Sequence, residues 1–194
     1  MSCGVCSTTC FGSTSCFALL LSAAHDPCHH RRQQRIIPSV YALMEHKNQD
    51  SYERLFDAVE QHAASLTTPS VPDPSLVIID FKAAVVGAVR QVFGDTTEVH
   101  GCFFHLTQST WRKIQTLGLS TRYREDSSFR HFCGMLDGLA FLHEDDVVAG
   151  LAWLRTVAPD GTDELVPYFD ETYVTGCSRH LPTTTVVWLA CVKK

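Results

Sequence analysis

The sequence lacks several features that would place it quickly in a class of protein. No window of its 194 residues reaches the roughly 18 apolar residues that a membrane-spanning helix requires. It has no excess of positive charge, since its formal net charge at pH 7 is -5, and it contains no internal repeat. A membrane-spanning helix is therefore excluded, and a uniformly basic nucleic-acid-binding protein is disfavoured.

The amino-terminal segment also lacks positive charge, because no Lys or Arg precedes Arg31. The apolar stretch from Phe17 to Leu21, followed by Ser22-Ala23-Ala24, is similar to the core and cleavage site of a signal peptide. The basic region that opens such peptides is missing. We therefore expect a protein that is not secreted, with the signal peptide as the alternative.

Cysteine is present in an odd number, nine, and five of the nine lie within the first 28 residues. This distribution is unlike a framework of paired disulfides. Cys3 and Cys6, with Cys28-His29-His30, could supply four zinc ligands, but the surrounding Ser, Thr and Gly lack the apolar periodicity of a small zinc-bound fold. We leave residues 1–35 unassigned, with the zinc site as an alternative.

Charge is distributed unevenly along the second half of the chain. Five basic residues and only two acids lie between Trp111 and Arg130, whereas residues 137–171 contain nine acids and Arg155 as the one base. The basic stretch could meet a phosphate backbone, and its candidate contacts are Arg112, Lys113, Arg122 and Arg124.

Hydrophobic patterning predicts an α/β arrangement followed by helices. Strands are expected at 36–44, 76–79 and 96–102, and helices lie between them, so residues 36–119 should form a three-stranded piece of sheet with flanking helices. The helix after the first strand is expected to begin at Asp50, with Glu53 completing a capping box. Residues 120–174 are predicted to be all-helical, with the stripes Phe129/Phe132/Leu136 and Val148/Leu151/Leu154/Val157 packed against each other.

Three features between Asp80 and Trp111 bear on chemistry. Asp80 follows the buried strand Leu76 to Ile79, at the end where open α/β sheets collect catalytic groups. Cys102 and His105 form a Cys-x2-His motif after the next strand. Each feature is weak alone, since a strand-end Asp is often a helix cap and such a Cys/His pair is often two core residues.

In order and spacing, these features resemble the middle of the transposase domain of Mutator-like elements (MULE). The matching segments are Val77-Ile78-Ile79-Asp80-Phe81, Val92-Phe93, Val99 to Leu106, Trp111-Arg112-Lys113 and Leu117-Gly118-Leu119. Weaker similarity extends the resemblance over residues 36–174. It implies a ribonuclease H-like fold in which two aspartates and a glutamate hold Mg²⁺ or Mn²⁺ for DNA cleavage and strand transfer. It also implies DNA, the transposon ends, as partner, and a nuclear location; self-association is an open possibility.

The resemblance assigns Asp80 as a catalytic residue and metal ligand, and Cys102 and His105 as the family signature. His105 would either contact the scissile phosphate or have a structural role. If adjacent parallel strands place their carboxyl ends together, Asp80 and His105 should share one crevice.

The departures from the family pattern predict a core that is inactive alone. The Asp-Gly-Thr-Phe stretch of the opening strand and the Asn-Asn pair before the final glutamate are both missing, and Lys82 stands where a further acid is common. We therefore expect a fragment of a ribonuclease H-like core. Its parts would be an unassigned segment 1–35, the partial core 36–119, a helical insertion 120–174 and a tail 175–194. The alternatives are a DDE transposase completed by other chains or segments, a non-catalytic DNA- or protein-binding domain, and the product of a decayed element.

Overall fold

The computed structural model of the protein describes two compact units of chain, Met1–His100 and Gly101–Lys194. The described residues are 3–5, 9–11, 14–22, 36–65, 74–176 and 183–184. Side chains are described for residues 40–65 and 74–176. The zinc alternative at the amino terminus therefore lies outside the described side chains.

The first unit is a mixed sheet with two helices. Its elements are β1 (Cys3–Val5), β2 (Thr9–Phe11), β3 (Thr14–Ser22), β4 (Ile36–Met44), α1 (Gln49–Ala64), β5 (Leu76–Ile79), α2 (Ala83–Phe93) and the start of β6 (Glu98–Cys102). Strand β3 is antiparallel to β1, β2 and β4. Strand β1 is parallel to β5. The first residue of β6 lies beside the start of β5, because the Glu98 N–H donates to the Ser75 carbonyl at 3.0 Å.

Strands β1, β2 and β3 contribute to this sheet, although the sequence left the segment that contains them unassigned. Strands β1 and β3 lie between β4 and β5 in the strand order, so the predicted strands at 36–44 and 76–79 are not neighbours. The apolar stretch Phe17 to Leu21 that suggested a signal peptide forms part of β3. Strand β3 pairs with β4 in a register that runs from Ser15 opposite Met44 to Ser22 opposite Ile36.

Local sequence explains the two helices of the first unit, with one correction. The cap of α1 is Asn48, whose side chain accepts from the Ser51 N–H at 3.0 Å, and the prediction of Asp50 was wrong. Asn at this position satisfies a backbone donor that the first turn leaves unpaired. Tyr52 and Phe56 of α1 are buried. Phe56 contacts Phe93 of α2, with ring centroids 5.5 Å apart.

The second unit is mainly helical. Its helices are α3 (Phe103–Thr116), α4 (Ser120–Glu125), α5 (Ser127–Gly138), α6 (Glu144–Thr156) and α7 (Leu165–Phe169). A 3₁₀ turn, Leu139–Phe141, follows α5, and a π-helical turn, Asp170–Val174, follows α7. The end of β6, Gly101 and Cys102, pairs in parallel with the two-residue strand β7 (Thr183–Thr184). Gly118, at a φ of 72°, ends α3, a conformation that glycine adopts at low cost.

The core of the second unit confirms one predicted apolar stripe and corrects the other. Phe129, Phe132 and Leu136 of α5 are buried. Leu151 and Leu154 of α6 are buried, whereas Val148 of the same helix and Val157, the residue after its end, are 56% and 45% exposed. The inward face of α6 is therefore narrower than the predicted stripe, because the helix lies at the surface and buries fewer than one residue per turn. None of the described helices is long and apolar enough to cross a membrane.

Candidate functional site

Asp80 lies directly after β5, the strand whose residues Val77, Ile78 and Ile79 are all buried. Its side chain is 16% exposed, and the Lys82 ammonium nitrogen lies 2.5 Å from its Oδ2. The backbone forms a tight turn at the same residues, because the Lys82 N–H donates to the Asp80 carbonyl at 2.6 Å. The position predicted for Asp80 is confirmed, and its described ionic partner is a lysine side chain.

Strand β1, one of the two neighbours of β5 in the sheet, supplies no second acid. Strand β1 runs parallel to β5, with Cys3 opposite Val77 and Gly4 opposite Ile78. Its residues are Cys3, Gly4 and Val5, and the first acid of the whole chain is Asp26. A pair of carboxylates on these two adjacent strands is therefore absent.

Cys102 and His105 lie together at the start of the second unit. Cys102 ends β6, caps α3 and is buried. His105, in the first turn of α3, is half-buried, and its Nδ1 atom has no hydrogen-bond partner among the described residues. Its ring meets Phe104 edge-on, with centroids 5.5 Å apart. The motif thus begins a helix, with the cysteine inside the core.

The expected common crevice of Asp80 and His105 stays a prediction, because Asp80 belongs to the first unit and His105 to the second. Among the described side chains, no group of three or more His, Cys, Asp and Glu residues is arranged to hold a metal ion. Besides Asp80, the described acids at the strands are Glu45, directly after β4, and Glu98, the first residue of β6. Both are exposed, and Glu98 Oε2 lies 3.2 Å from His100 Nε2.

The four candidate DNA contacts divide into two pairs. Arg112 of α3 and Arg124 of α4 are exposed. Lys113 lies over the Tyr168 ring at 5.4 Å and 3.9 Å from Glu164. Arg122 pairs with Asp126 at 3.2 Å and stacks on Phe129 at 4.7 Å. Lys113 and Arg122 therefore have charged and aromatic partners within the second unit. Arg112 and Arg124 are exposed, and Arg124 donates to the Thr121 hydroxyl at 3.5 Å.

A partly buried polar cluster between α3, α5 and the π-helical turn after α7 was not foreseen from the sequence. The Thr110 hydroxyl donates to Asp137 Oδ1 at 2.7 Å, and burial raises the pKa of Asp137 to about 6. Burial also raises the pKa of Cys133 to about 12 and that of Tyr173 to about 12. The sequence feature that could have indicated this cluster is the acid that directly follows the buried Leu136. No local pattern shows that a threonine 27 positions earlier is its partner.

These features define an α/β protein with an acid at the end of a buried strand. The family model of the MULE transposase domain matches residues 8–109, more than half of the chain, and the protein belongs to that family. The match includes Asp80, Cys102 and His105, and it begins within the segment that the sequence left unassigned. Members of the family generally bind DNA, and transposases generally depend on divalent metal ions. Neither a curated protein nor a solved structure gives a significant match.

Proposed function

We propose that this chain is a transposase-derived domain that neither cleaves nor joins DNA by itself. The observation that carries the proposal is the environment of Asp80. Its carboxylate pairs with Lys82 at 2.5 Å, and the parallel neighbouring strand, Cys3-Gly4-Val5, offers no acid. A two-metal displacement needs several carboxylates that converge on one position.

The sheet of the first unit is, on this proposal, a partial ribonuclease H-like core. Support comes from its mixed topology, in which β4, β3 and β1 are antiparallel and β5 then follows β1 in parallel. Support also comes from the family match, which covers β3, β4 and β5. The helices from α4 onwards would be the insertion, and the family implies a nuclear location and DNA as the partner.

The residues present do not fit a divalent metal ion. Mg²⁺ and Mn²⁺ prefer oxygen ligands, and one carboxylate does not retain a strongly hydrated ion. Lys82 adds a positive charge at the oxygen that would bind the metal. His105 could still contact a phosphate, since its Nδ1 has no partner among the described residues. We derive no catalytic step from either residue.

A nicking assay tests the proposal. Purified protein is incubated with supercoiled plasmid in Mg²⁺ and then in Mn²⁺, beside an Asp80→Ala variant. We expect the same background for both proteins, because Asp80 is the one family acid that the chain retains. Metal-dependent nicking that disappears in Asp80→Ala would contradict the proposal.

A second candidate function is DNA binding without chemistry. It is favoured by the exposure of Arg112 and Arg124 on consecutive helices of the second unit. Such contacts would be to phosphates and independent of base sequence, because phosphate contacts carry no direct sequence information. Self-association would raise the affinity by joining several weak contacts.

A further inference from the structure

Strand β4 lies at an edge of the sheet of the first unit. It pairs with β3 along one side, and none of the other described strands pairs with it. The free side of an edge strand presents backbone N–H and C=O groups that can pair with another chain. Proteins usually protect such edges with charged residues, prolines or bulges.

The protection of β4 is confined to its first half. Pro38 has no N–H to offer to another strand. Consecutive residues of β3 lie opposite Pro38 and Val40, so Ser39 is an extra residue of the kind found in a β-bulge. The rest of the strand, Val40–Met44, contains no charged residue, proline or glycine. Five residues of the edge are therefore unprotected.

Large apolar side chains are exposed on these five residues. Tyr41 and Leu43 are 68% and 80% exposed, and they lie on the same face of the sheet because side chains alternate along a strand. Leu43 is the most exposed large hydrophobic residue among the described side chains. On the opposite face Met44 is buried, and α1 packs against the strand. The edge thus combines an open backbone with an apolar surface, which is typical of a site for another strand.

We propose that the Val40–Met44 edge pairs in antiparallel fashion with the same edge of a second copy of this chain. The uninterrupted stretch is centred on Ala42, so a pairing that uses all of it in both copies has a two-fold axis at Ala42. Tyr41 of each copy then lies opposite Leu43 of the other. Aromatic and aliphatic side chains are favourable cross-strand partners.

The charges that flank the strand in the sequence favour a second copy in this orientation. Three arginines, Arg31, Arg32 and Arg35, precede the strand, whereas residues 45–53 contain three acids and Lys47. Antiparallel pairing brings the segment before one strand towards the segment after the other, so opposite charges attract. Parallel pairing would bring like charges together. The inference goes beyond the proposed function, because it depends neither on Asp80 nor on DNA.

Sedimentation velocity of the full chain, without DNA or metal, measures the association. Two edges of five residues bury less than a standard interface of about 1,600 Å², so we expect a weak and reversible dimer. It should form within a concentration range of about 1 μM to 1 mM, which covers the dissociation constants of weak complexes.

Two variants with charges at the paired positions test the register. In Tyr41→Lys/Leu43→Lys, like charges face each other at both cross-strand pairs, and we expect Kd to rise by about tenfold or more. In Tyr41→Lys/Leu43→Glu, each lysine faces a glutamate, and Kd should stay within about fivefold of wild type. The double lysine variant makes the net charge of -5 less negative, so general repulsion between chains cannot explain its weaker association.

Val148→Lys/Trp153→Lys is the matched control. Both of its positions are 56% exposed on α6, and the change removes apolar surface of the same kind from the second unit. Its Kd should stay within about twofold of wild type, since surface substitutions away from a contact have small effects. A tenfold rise in this control would locate the contact on α6 and overturn the inference.

Tyr41→Thr/Leu43→Thr keeps the experiment decisive if the charged variants do not fold, as judged by circular dichroism. Threonine is well suited to a strand but removes apolar surface from the edge, so Kd should rise by about fivefold or more. An unchanged Kd in this variant would overturn the inference. A wild type that is monomeric over the whole concentration range, or equal association of the two charged variants, would do the same.

Discussion

Individual acids of this protein differ mainly in what surrounds them. Asp80 is paired with a lysine, Asp126 caps α5 by accepting from the Ser128 and Phe129 N–H groups, and Asp137 is half-buried with the Thr110 hydroxyl as its donor. Hydrogen bonds from the two N–H groups and from Arg122 lower the pKa of Asp126, with the Phe129 N–H as the largest cause. Burial has the opposite effect on Asp137 and raises its pKa to about 6. The contributions of Asp126 and Asp137 to the stability of the second unit therefore depend on pH in opposite directions.

Replacement of Asp137 by Asn tests this difference. The folded protein holds the Asp137 proton up to a pKa of about 6, above the ordinary value of 3.8. The contribution of Asp137 to stability should therefore be largest below pH 4 and be lost as the pH rises through about 6. Asn cannot ionise, and its oxygen can still accept from Thr110. We expect Asp137→Asn to increase the free energy of unfolding at pH 7.5 by on the order of 2 kcal/mol relative to wild type, with little difference at pH 4.

Urea unfolding at the two pH values measures the effect. The three tryptophans of the chain, Trp111, Trp153 and Trp188, provide the fluorescence signal. Asp163→Asn is the control, because Asp163 is exposed and its replacement should give the same small change at both pH values. A destabilisation by Asp137→Asn at pH 7.5 would show that the charged carboxylate is favoured in the fold.

At the scale of elements, α6 shows how a helix at the surface departs from an apolar stripe. Four apolar residues at helical spacing predicted its inward face, but only Leu151 and Leu154 are buried. Val148 begins the stripe and Val157 follows the helix, and both are exposed. Exposed single apolar residues are normal on protein surfaces. Spacing thus identified the helix but overestimated how much of it is buried.

Alanine replacement in α6 tests this orientation. Leu154→Ala removes a side chain that is 2% exposed, and it should lower the free energy of unfolding by about 2–5 kcal/mol. Val148→Ala, at a site that is 56% exposed, should change it by less than about 0.5 kcal/mol. Urea unfolding of the two variants under the same conditions provides the measurement. Equal destabilisation would mean that Val148 packs in the core after all.

For the molecule as a whole, the net charge and the distribution of charge lead to different expectations about DNA binding. The chain carries a formal net charge of -5, which opposes binding to DNA. The exposed arginines Arg112 and Arg124 lie in a local excess of positive charge, while α6 begins with three acids. Any affinity for DNA should therefore come from few contacts and depend on a small part of the surface.

The salt dependence of DNA binding tests this expectation. Each phosphate contact contributes about -0.9 to the slope of log Kobs against log salt, so two contacts give a slope of about -2. We expect this value for non-specific duplex DNA in a fluorescence-anisotropy titration, and a slope near zero for the Arg112→Ala/Arg124→Ala double variant. Lys113→Ala is the comparison, since Lys113 already has partners within the protein. A wild-type slope steeper than about -5 would require a larger basic surface than the one described here.

Most elements from residue 36 onwards follow from local patterns in the sequence. Apolar periodicity predicted β4, β5, α1 to α3, α5 and α6, and the acid that follows β5 was placed correctly at Asp80. It did not reveal α4, which has only six residues and none of them buried. The same apolar pattern and the order of the motifs were enough to recognise the family. These features are local because helix and strand periods repeat within a few residues.

Contacts between residues that are far apart in the sequence depend on the tertiary structure. Strands β1 and β3 come from a segment without a clear pattern, and they acquire their place by pairing with β4 and β5. The Thr110–Asp137 hydrogen bond and the exposure of Val148 likewise depend on how helices pack. Even the Asp80–Lys82 pair, two residues apart, depends on the turn between strand and helix. Register and packing are set by interactions between segments far apart in sequence, and no local period encodes them.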